Sequence, residues 1–398
     1  MKPLPLKSFR LKNFKSIRDS GDVRFTPLTV FIGNNGSGKS SLIEGLKAFN
    51  NISRDDVVEV MRTWRGYENI WYKGLPHKLI SVGKKGRERQ QYDNPIRFEV
   101  KGRYEYGPYT VKMEVGLGDD KHEFISYEEV KVGHQVEFTR DADGRVQFKG
   151  KAPSEFGSVK IEPNIPMDDG LSIIGAIPYL DKIVSKWQFL LYLDPGAMGE
   201  PGPPYRLKQV ELNQDGANIA EYLLEIKNID QLAFEGIVET LKYILPYAQD
   251  LQPTLISGLE QLIYLEMKES EFTVPSWLLS TGTLRLIGIL AVLRHPEPPP
   301  LIVIEEIENG LDPRTLSLIV DEIRNAVEAG KTQIIATTHS PYFLDLLDLS
   351  HIVLVERENG QQPIFIRPAD QESLKEWAKK FSPGQLYTMN ILSRKDNA

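Results

Sequence analysis

Hydrophobic positions along this chain follow several regimes in turn. From Leu6 to Ile17 apolar residues alternate with basic ones (Leu-Lys-Ser-Phe-Arg-Leu-Lys-Asn-Phe-Lys-Ser-Ile), a pattern that predicts an edge strand. The apolar run Leu28-Thr-Val-Phe-Ile32 predicts a buried strand, and Ser41–Phe49 a helix. Residues 50–95 are polar, aromatic and irregular, with a basic cluster at Lys84, Lys85, Arg87 and Arg89. From Ile96 to Phe148 the period becomes two, as in Tyr109-Thr-Val-Lys-Met-Glu-Val115, and Asp143-Gly144 marks a hairpin turn between Val136–Thr139 and Arg145–Phe148.

Residues 151–214 are rich in Pro and Gly, with one aromatic-apolar run at Trp187–Leu193. Helical spacing returns at Asn218–Ile229 and Gln231–Ile244. In the last third, Trp277–Arg294 is a strongly apolar helix candidate and Pro298-Pro-Pro300 ends it. Leu301–Ile304 predicts a short buried strand, Thr315–Ala329 an amphipathic helix and Gln333–Thr337 another buried strand. Strand–helix–strand alternation of this kind implies a parallel sheet covered by helices. The chain has no fixed-period repeat and no heptad run long enough for a coiled coil.

Composition narrows the class. The 398 residues exceed a typical single domain, and 41% hydrophobic residues suffice for an ordinary core. No apolar stretch reaches membrane-span length, and the N-terminus lacks the apolar segment of a signal peptide. The absence of cysteine excludes disulfides, iron–sulfur clusters and Cys-type zinc sites, and fits a cytoplasmic protein. With 48 basic and 55 acidic residues the net charge is −7, which argues against a globally basic nucleic-acid binder but allows a local basic groove.

Between the Leu28–Ile32 strand and the helix that follows lies Gly33-Asn34-Asn35-Gly36-Ser37-Gly38-Lys39-Ser40, with Ser41 next, and every position of a phosphate-binding P-loop is filled. Glycines let successive backbone N–H groups turn toward phosphate oxygens at a helix start. In such a loop Lys39 reaches the β- and γ-phosphates of a nucleoside triphosphate and the Ser40 hydroxyl ligates Mg²⁺.

Three further groups carry candidate chemistry. The strand Leu301–Ile304 ends in Glu305 and Glu306, which suits a Mg²⁺–phosphate site at the carboxyl edge of a parallel sheet. Glu305 would hold the metal through water and Glu306 would polarise the attacking water; the plainer alternative is two solvated acids capping a strand. His339, at the end of the next buried strand, is placed to hydrogen-bond a γ-phosphate, although a lone histidine is more often a satisfied core or surface residue. Ser280 and Gly282, before the apolar helix, make a second anion-binding helix start, although taken alone they read more readily as an ordinary N-cap.

Together these motifs resemble the ATPase heads of the ABC superfamily, in the soluble RecF/SMC/OLD-like branch whose stand-alone members are termed AAA family ATPases. Phe9–Ile17 looks like that branch's opening, Ser280-Thr281-Gly282-Thr283 its signature loop, Glu305-Glu306 its Walker B acids, Asn309-Gly310-Leu311-Asp312 its D-loop and His339 its switch histidine. Trp187–Pro195 and Gly384-Gln-Leu-Tyr387 look like segments of the small stand-alone members. The likeness is concentrated in residues 6–49 and 273–345 and diffuse between them. Thr281 replaces a glycine of the common signature, Glu305 stands where Asp is commoner, and no glutamine is assignable to a Q-loop.

The resemblance implies an α/β fold of ABC-head type: a mixed sheet core, an antiparallel β lobe and a helical lobe. Residues 1–49 and 273–398 would form the core, 50–150 the β-rich lobe and 151–272 the mixed, largely helical lobe. It implies ATP and Mg²⁺ as cofactors, hydrolysis with Glu306, Lys39 and His339 as the catalytic group, and a dimer in which the P-loop of one copy faces Ser280–Thr283 of the other. The β-rich stretch between Lys39 and Ser280 lacks the long coiled coil of SMC proteins. The stretch after His339 is too short for the TOPRIM nuclease that OLD proteins append, so a nuclease or toxin partner is expected as a separate polypeptide. Three roles follow as expectations: a DNA-sensing or repair ATPase touching phosphates through Lys7, Arg10, Lys12, Lys15 and the Lys84–Arg89 cluster, a scaffold restraining an effector in bacterial defence, and, remotely, a transporter subunit.

Overall fold

The computed structural model describes residues 4–74, 76–82, 89–104, 107–133, 136–149, 170–202, 210–256 and 262–392. The chain forms two compact units. One comprises Met1–Pro27, Ile32–Trp187 and Val353–Arg367; the other comprises Leu28–Phe31, Gln188–Ile352 and Pro368–Ala398. The division passes through the Leu28–Ile32 strand and after Trp187.

The first unit is built on an eight-stranded sheet. Its order is Val146–Lys149, Val136–Arg140, Glu123–Val132, Gly107–Leu117, Ile96–Tyr104, Leu4–Phe14 and Ile17–Asp19, with Val23–Arg24 also paired to Leu4–Phe14. Neighbours are antiparallel, and the alternation that predicted them is visible in burial: Tyr109, Val111, Met113 and Val115 are buried while Thr110, Lys112 and Glu114 between them are not. The hairpin across Asp143-Gly144 forms with Arg140 opposite Val146.

The strand Leu4–Phe14 is not an edge strand: it is paired on both sides, by Ile96–Tyr104 and by Ile17–Asp19 with Val23–Arg24. The charge of its Arg10 and Lys12 is met within the unit. Asp19, directly opposite Lys12, accepts from Arg10 Nε at 2.9 Å and Nη2 at 2.7 Å and pairs with Lys12 Nζ at 3.1 Å. Lys15 is paired with Glu44.

On this sheet lies the helix Lys39–Ile52, so close at Gly45 that a β-carbon there would overlap the Leu11 side chain. Phe49 packs beside Phe98 and Trp187, with ring centroids 6.1 and 6.2 Å away. Residues 50–95 are less irregular than expected, for they include a helix at Val57–Thr63 whose Asp56 cap accepts from Val58 N at 2.8 Å. Two turns burying Val57, Val60 and Met61 are too short to set up a readable period.

In the second unit Gln188–Leu190, Leu301–Ile304 and Gln333–Thr338 run parallel in that order, with Leu28–Ile32 next to Gln333–Thr338. The last three of these strands are buried at every residue, as a parallel sheet covered on both faces requires. Helices Thr281–Leu293 and Pro313–Glu328 belong to this unit, the first buried at Leu284 and from Leu286 to Leu293. Also here are the helices Ile219–Ile229 and Gln231–Ile244 and an antiparallel sheet of Ala248–Leu255, Ile263–Glu269 and Phe272–Pro275. Among the described residues no helix is long and apolar enough to cross a membrane.

Candidate functional site

The strands carry the chain directly into the candidate residues: Leu28–Ile32 into Gly33, Leu301–Ile304 into Glu305, and Gln333–Thr338 into His339. The P-loop residues belong to the first unit, and the signature, Walker B, D-loop and histidine residues belong to the second.

In the P-loop, Gly38 sits at φ +109°, where an L side chain is strained, and caps the helix Lys39–Ile52 without a side-chain hydrogen bond. No side chain therefore competes with an anion at that helix start. Lys39 is buried, and its ammonium donates to the carbonyls of Gly33 at 2.7 Å and Asn34 at 3.2 Å. Ser37 N donates to Asn34 O at 3.1 Å, which closes the turn. Ser37 Oγ is buried with no hydrogen-bond partner among the described residues. An unsatisfied hydroxyl, a buried ammonium and an uncapped helix start fit a polyphosphate. Ser40 is exposed, and Ser41 accepts from Ser16 Oγ at 3.2 Å.

The acids of the second unit differ in setting. Glu305 is buried, and its backbone N–H donates to Leu190 O at 3.0 Å on the neighbouring parallel strand. Burial, helped by the Glu305 carboxylate, pushes the Tyr192 phenol up. Glu306 is exposed and sits at φ +46°, a costly left-handed conformation for a residue with a side chain. Its N–H donates to Thr337 Oγ1 at 2.9 Å, and its carboxylate Oε2 accepts from Asn309 Nδ2 at 2.6 Å. The Ser40 hydroxyl in the first unit and the Glu305 carboxylate in the second are each hard oxygen donors of the kind Mg²⁺ takes.

Ser280 caps the helix Thr281–Leu293: its Oγ accepts from Thr283 N at 3.1 Å and lies 2.8 Å from Thr283 Oγ1. Thr281 is exposed. A β-carbon at Gly282 would overlap the carbonyl oxygen of Gly310, so the signature start and the D-loop are in direct backbone contact. Asp312 caps the helix Pro313–Glu328, accepting from Arg314 N at 2.9 Å and Thr315 N at 3.2 Å. The Thr315 hydroxyl, with these N–H groups and against burial, holds the Asp312 carboxyl below its ordinary range.

His339 is half-buried, and its backbone N–H donates to Glu308 Oε1 at 2.5 Å. Gly384 lies against the Pro341 carbonyl two residues on, and its N–H donates to Asp345 Oδ1 at 2.7 Å.

Several contributors had no role in the sequence reading. Arg285 donates from Nη1 to Leu193 O at 2.9 Å and lies with Nη2 3.5 Å from Glu306 O. Burial lowers its pKa, against the carboxylates of Glu306 and Glu308. A lone charge in an otherwise apolar helix was the available signal. Thr337 and the side chain of Asn309 left none that periodicity would catch.

Comparison with known proteins adds relatives across both units. The family model described as an AAA domain, putative AbiEii toxin, Type IV TA system, matches residues 112–345, and the AAA ATPase domain model matches residues 5–128. The chain is 21% identical over 395 residues to an OLD nuclease of Thermus scotoductus, covering 95% of this chain and 67% of that protein. It is 22% identical over 354 residues to an ATP/GTP phosphatase of Helicobacter pylori, covering 86% of this chain and 87% of that protein. Among solved structures, an SMC head bound to the C-terminal winged-helix domain of ScpA matches with a TM-score of 0.55 at 15% identity, over 94% of this chain and 99% of that one. The fold is the expected P-loop head, mixed α/β with several sheets.

Proposed function

Because the chain belongs to the AAA-domain ATPase family, in the RecF/SMC/OLD-like branch of the ABC superfamily, we propose that its ATP hydrolysis drives a head-to-head association switch. The P-loop, Gly33 to Ser41, wraps the phosphates of ATP, and Lys39 neutralises the β- and γ-phosphates. Ser40 and, through water, Glu305 would hold Mg²⁺, which would supply further charge neutralisation. Glu306 takes the proton of the attacking water, and His339 hydrogen-bonds the γ-phosphate. Ser280, Thr281, Gly282 and Thr283 meet the ATP held by a second copy, and Asn309–Asp312 line the same face.

The observation that carries this reading is the backbone contact of Gly282 with Gly310. It makes the signature start and the D-loop one surface, as an interface serving another copy's nucleotide requires.

The test uses Glu306→Gln and Ser280→Arg proteins with ATP and Mg²⁺, followed by light scattering. Glu306→Gln should double in mass on ATP addition. Ser280→Arg should bind ATP and stay monomeric. A Glu306→Gln protein that remains monomeric at saturating ATP overturns the proposal. Lys39→Ala should lose the nucleotide-induced rise in melting temperature altogether.

For the switched process, a restrained effector is the better supported of the two readings. The matching family is described as a putative AbiEii toxin of a Type IV toxin–antitoxin system, which links this ATPase domain to paired effector systems. Arg10, Lys12 and Lys15, candidates for DNA contacts, are committed to Asp19 and Glu44. Lys7 is exposed; Lys84, Lys85 and Arg87 lie outside the described residues, and of Arg89 only the backbone is described. Glu306→Gln protein isolated with ATP from its host should bring a stoichiometric partner. ATP-stimulated, salt-dependent duplex binding without such a partner would favour the DNA reading.

A further inference from the structure

Glu308 stands in the turn between the Walker B acids and the D-loop, and the roles proposed above leave it unused. The turn is closed by Asn309 N donating to Glu306 O at 2.9 Å and Leu311 N donating to Glu308 O at 3.0 Å. From it, Glu308 Oε1 accepts the backbone N–H of His339 at 2.5 Å. Its other oxygen, Oε2, is buried with no hydrogen-bond partner among the described residues. A carboxylate so placed is fixed by geometry rather than by solvent, and its bond to an N–H is about twice as strong as a neutral one.

Among the described residues little else fixes His339. Its strand ends at Thr338, which is fully buried, and the next residue, Ser340, donates from its N–H to Thr338 Oγ1 at 3.0 Å and caps the short helix Pro341–Asp345. Only His339 and the cap residue Ser340 join these two elements. A hydrogen bond at the His339 amide removes the freedom that remains there.

We infer that Glu308 is a positioning residue for His339, so that the turn bearing the proposed base Glu306 also sets where the histidine stands. The inference rests on the proposed role of His339 at the γ-phosphate. It predicts that loss of the Glu308 oxygen misplaces the imidazole, and misplacement of about 1 Å can cost about 100-fold in rate.

The experiment compares Glu308→Ala, Glu308→Gln, His339→Ala and the double variant Glu308→Ala/His339→Ala, each checked for a native melting transition. Glu308→Ala should lower kcat for ATP by roughly 10- to 100-fold with KM little changed. Glu308→Gln, which keeps the accepting oxygen, should recover most of the rate. The double variant should be no slower than His339→Ala, because Glu308 acts through the histidine. Multiplication of the two single losses, or wild-type kcat in Glu308→Ala, overturns the inference.

Amide exchange at His339 gives a second measurement independent of turnover. Protection should persist in Glu308→Gln and vanish in Glu308→Ala; unchanged protection in Glu308→Ala also overturns the inference. Wild-type kcat in His339→Ala, with protection behaving as expected, removes instead the proposed role of the histidine. If Glu308→Ala does not fold, Glu308→Asp, which withdraws the oxygen by one methylene, takes its place.

Discussion

Asn309 grips Glu306 twice: its side-chain amide donates to Oε2 at 2.6 Å, and its backbone N–H donates to the Glu306 carbonyl at 2.9 Å. The carboxylate proposed as general base is otherwise on an exposed side chain, free to explore rotamers. Asn309 thus holds the proposed base from within its own chain.

Asn309→Ala should therefore slow ATP turnover by roughly 10-fold, since an unheld base spends less time in the reactive geometry. ATP affinity should be unaffected, because the contact involves no P-loop residue. Steady-state kinetics with a separate nucleotide-binding titration checks both halves; a loss confined to KM would contradict the argument.

Glu306 occupies the left-handed region at φ +46°, a strain of order 1–3 kcal/mol for a residue with a side chain. Glu306→Gly removes that strain at some cost in unfolded-chain entropy. We expect a net gain of about 1 kcal/mol in unfolding free energy together with complete loss of hydrolysis. Denaturant titration beside an ATPase assay would reveal this opposition of stability and activity.

Gly282→Ala places a methyl group on the Gly310 carbonyl oxygen, in a region where backbone meets backbone. No flexible side chain is there to yield. Destabilisation of about 1–3 kcal/mol should follow, read as a lower denaturant midpoint. Thr281→Gly, at an exposed position, should shift the midpoint by well under half of that.

Asp19 offers a pH test. The Arg10 hydrogen bond, with help from the Gly21 N–H and Lys12 and against burial, holds its carboxyl far below the usual carboxylate range. A folded-state pKa below the unfolded one means that the stabilisation is present above about pH 4 and is lost as pH falls toward the folded value. Asp19→Asn should cost about 1 kcal/mol at pH 7, as expected for a partly exposed pair. The gap between wild type and Asp19→Asn should narrow progressively as pH falls below about 4. A constant gap across that window would mean that the substitution acts through packing.

What could be read from sequence follows from how local each feature is. Leu28–Ile32, Leu301–Ile304 and Gln231–Ile244 have the bounds expected because buried runs and helical periods are written in consecutive residues. Leu4–Phe14 is an inner strand rather than an edge because Ile96–Tyr104, remote in sequence, pairs along its other side, which no local pattern reveals. The apolar helix begins at Thr281 rather than Trp277, since Ser280 provides the cap and Ser276–Leu278 forms a separate short turn. The motif residues were legible one by one. Their mutual contacts through Arg285, Thr337 and Glu308 were not, because they join segments distant in sequence.

The ammonium of Lys39, drawn onto the carbonyls of Gly33 and Asn34, acts as an internal counterion for its own loop. The P-loop is thereby preorganised: its curvature is sustained by the chain itself, and an arriving triphosphate need not order it. Capture of nucleotide should then be limited by diffusion and charge, leaving the slow, regulable part of the cycle to events beyond the loop.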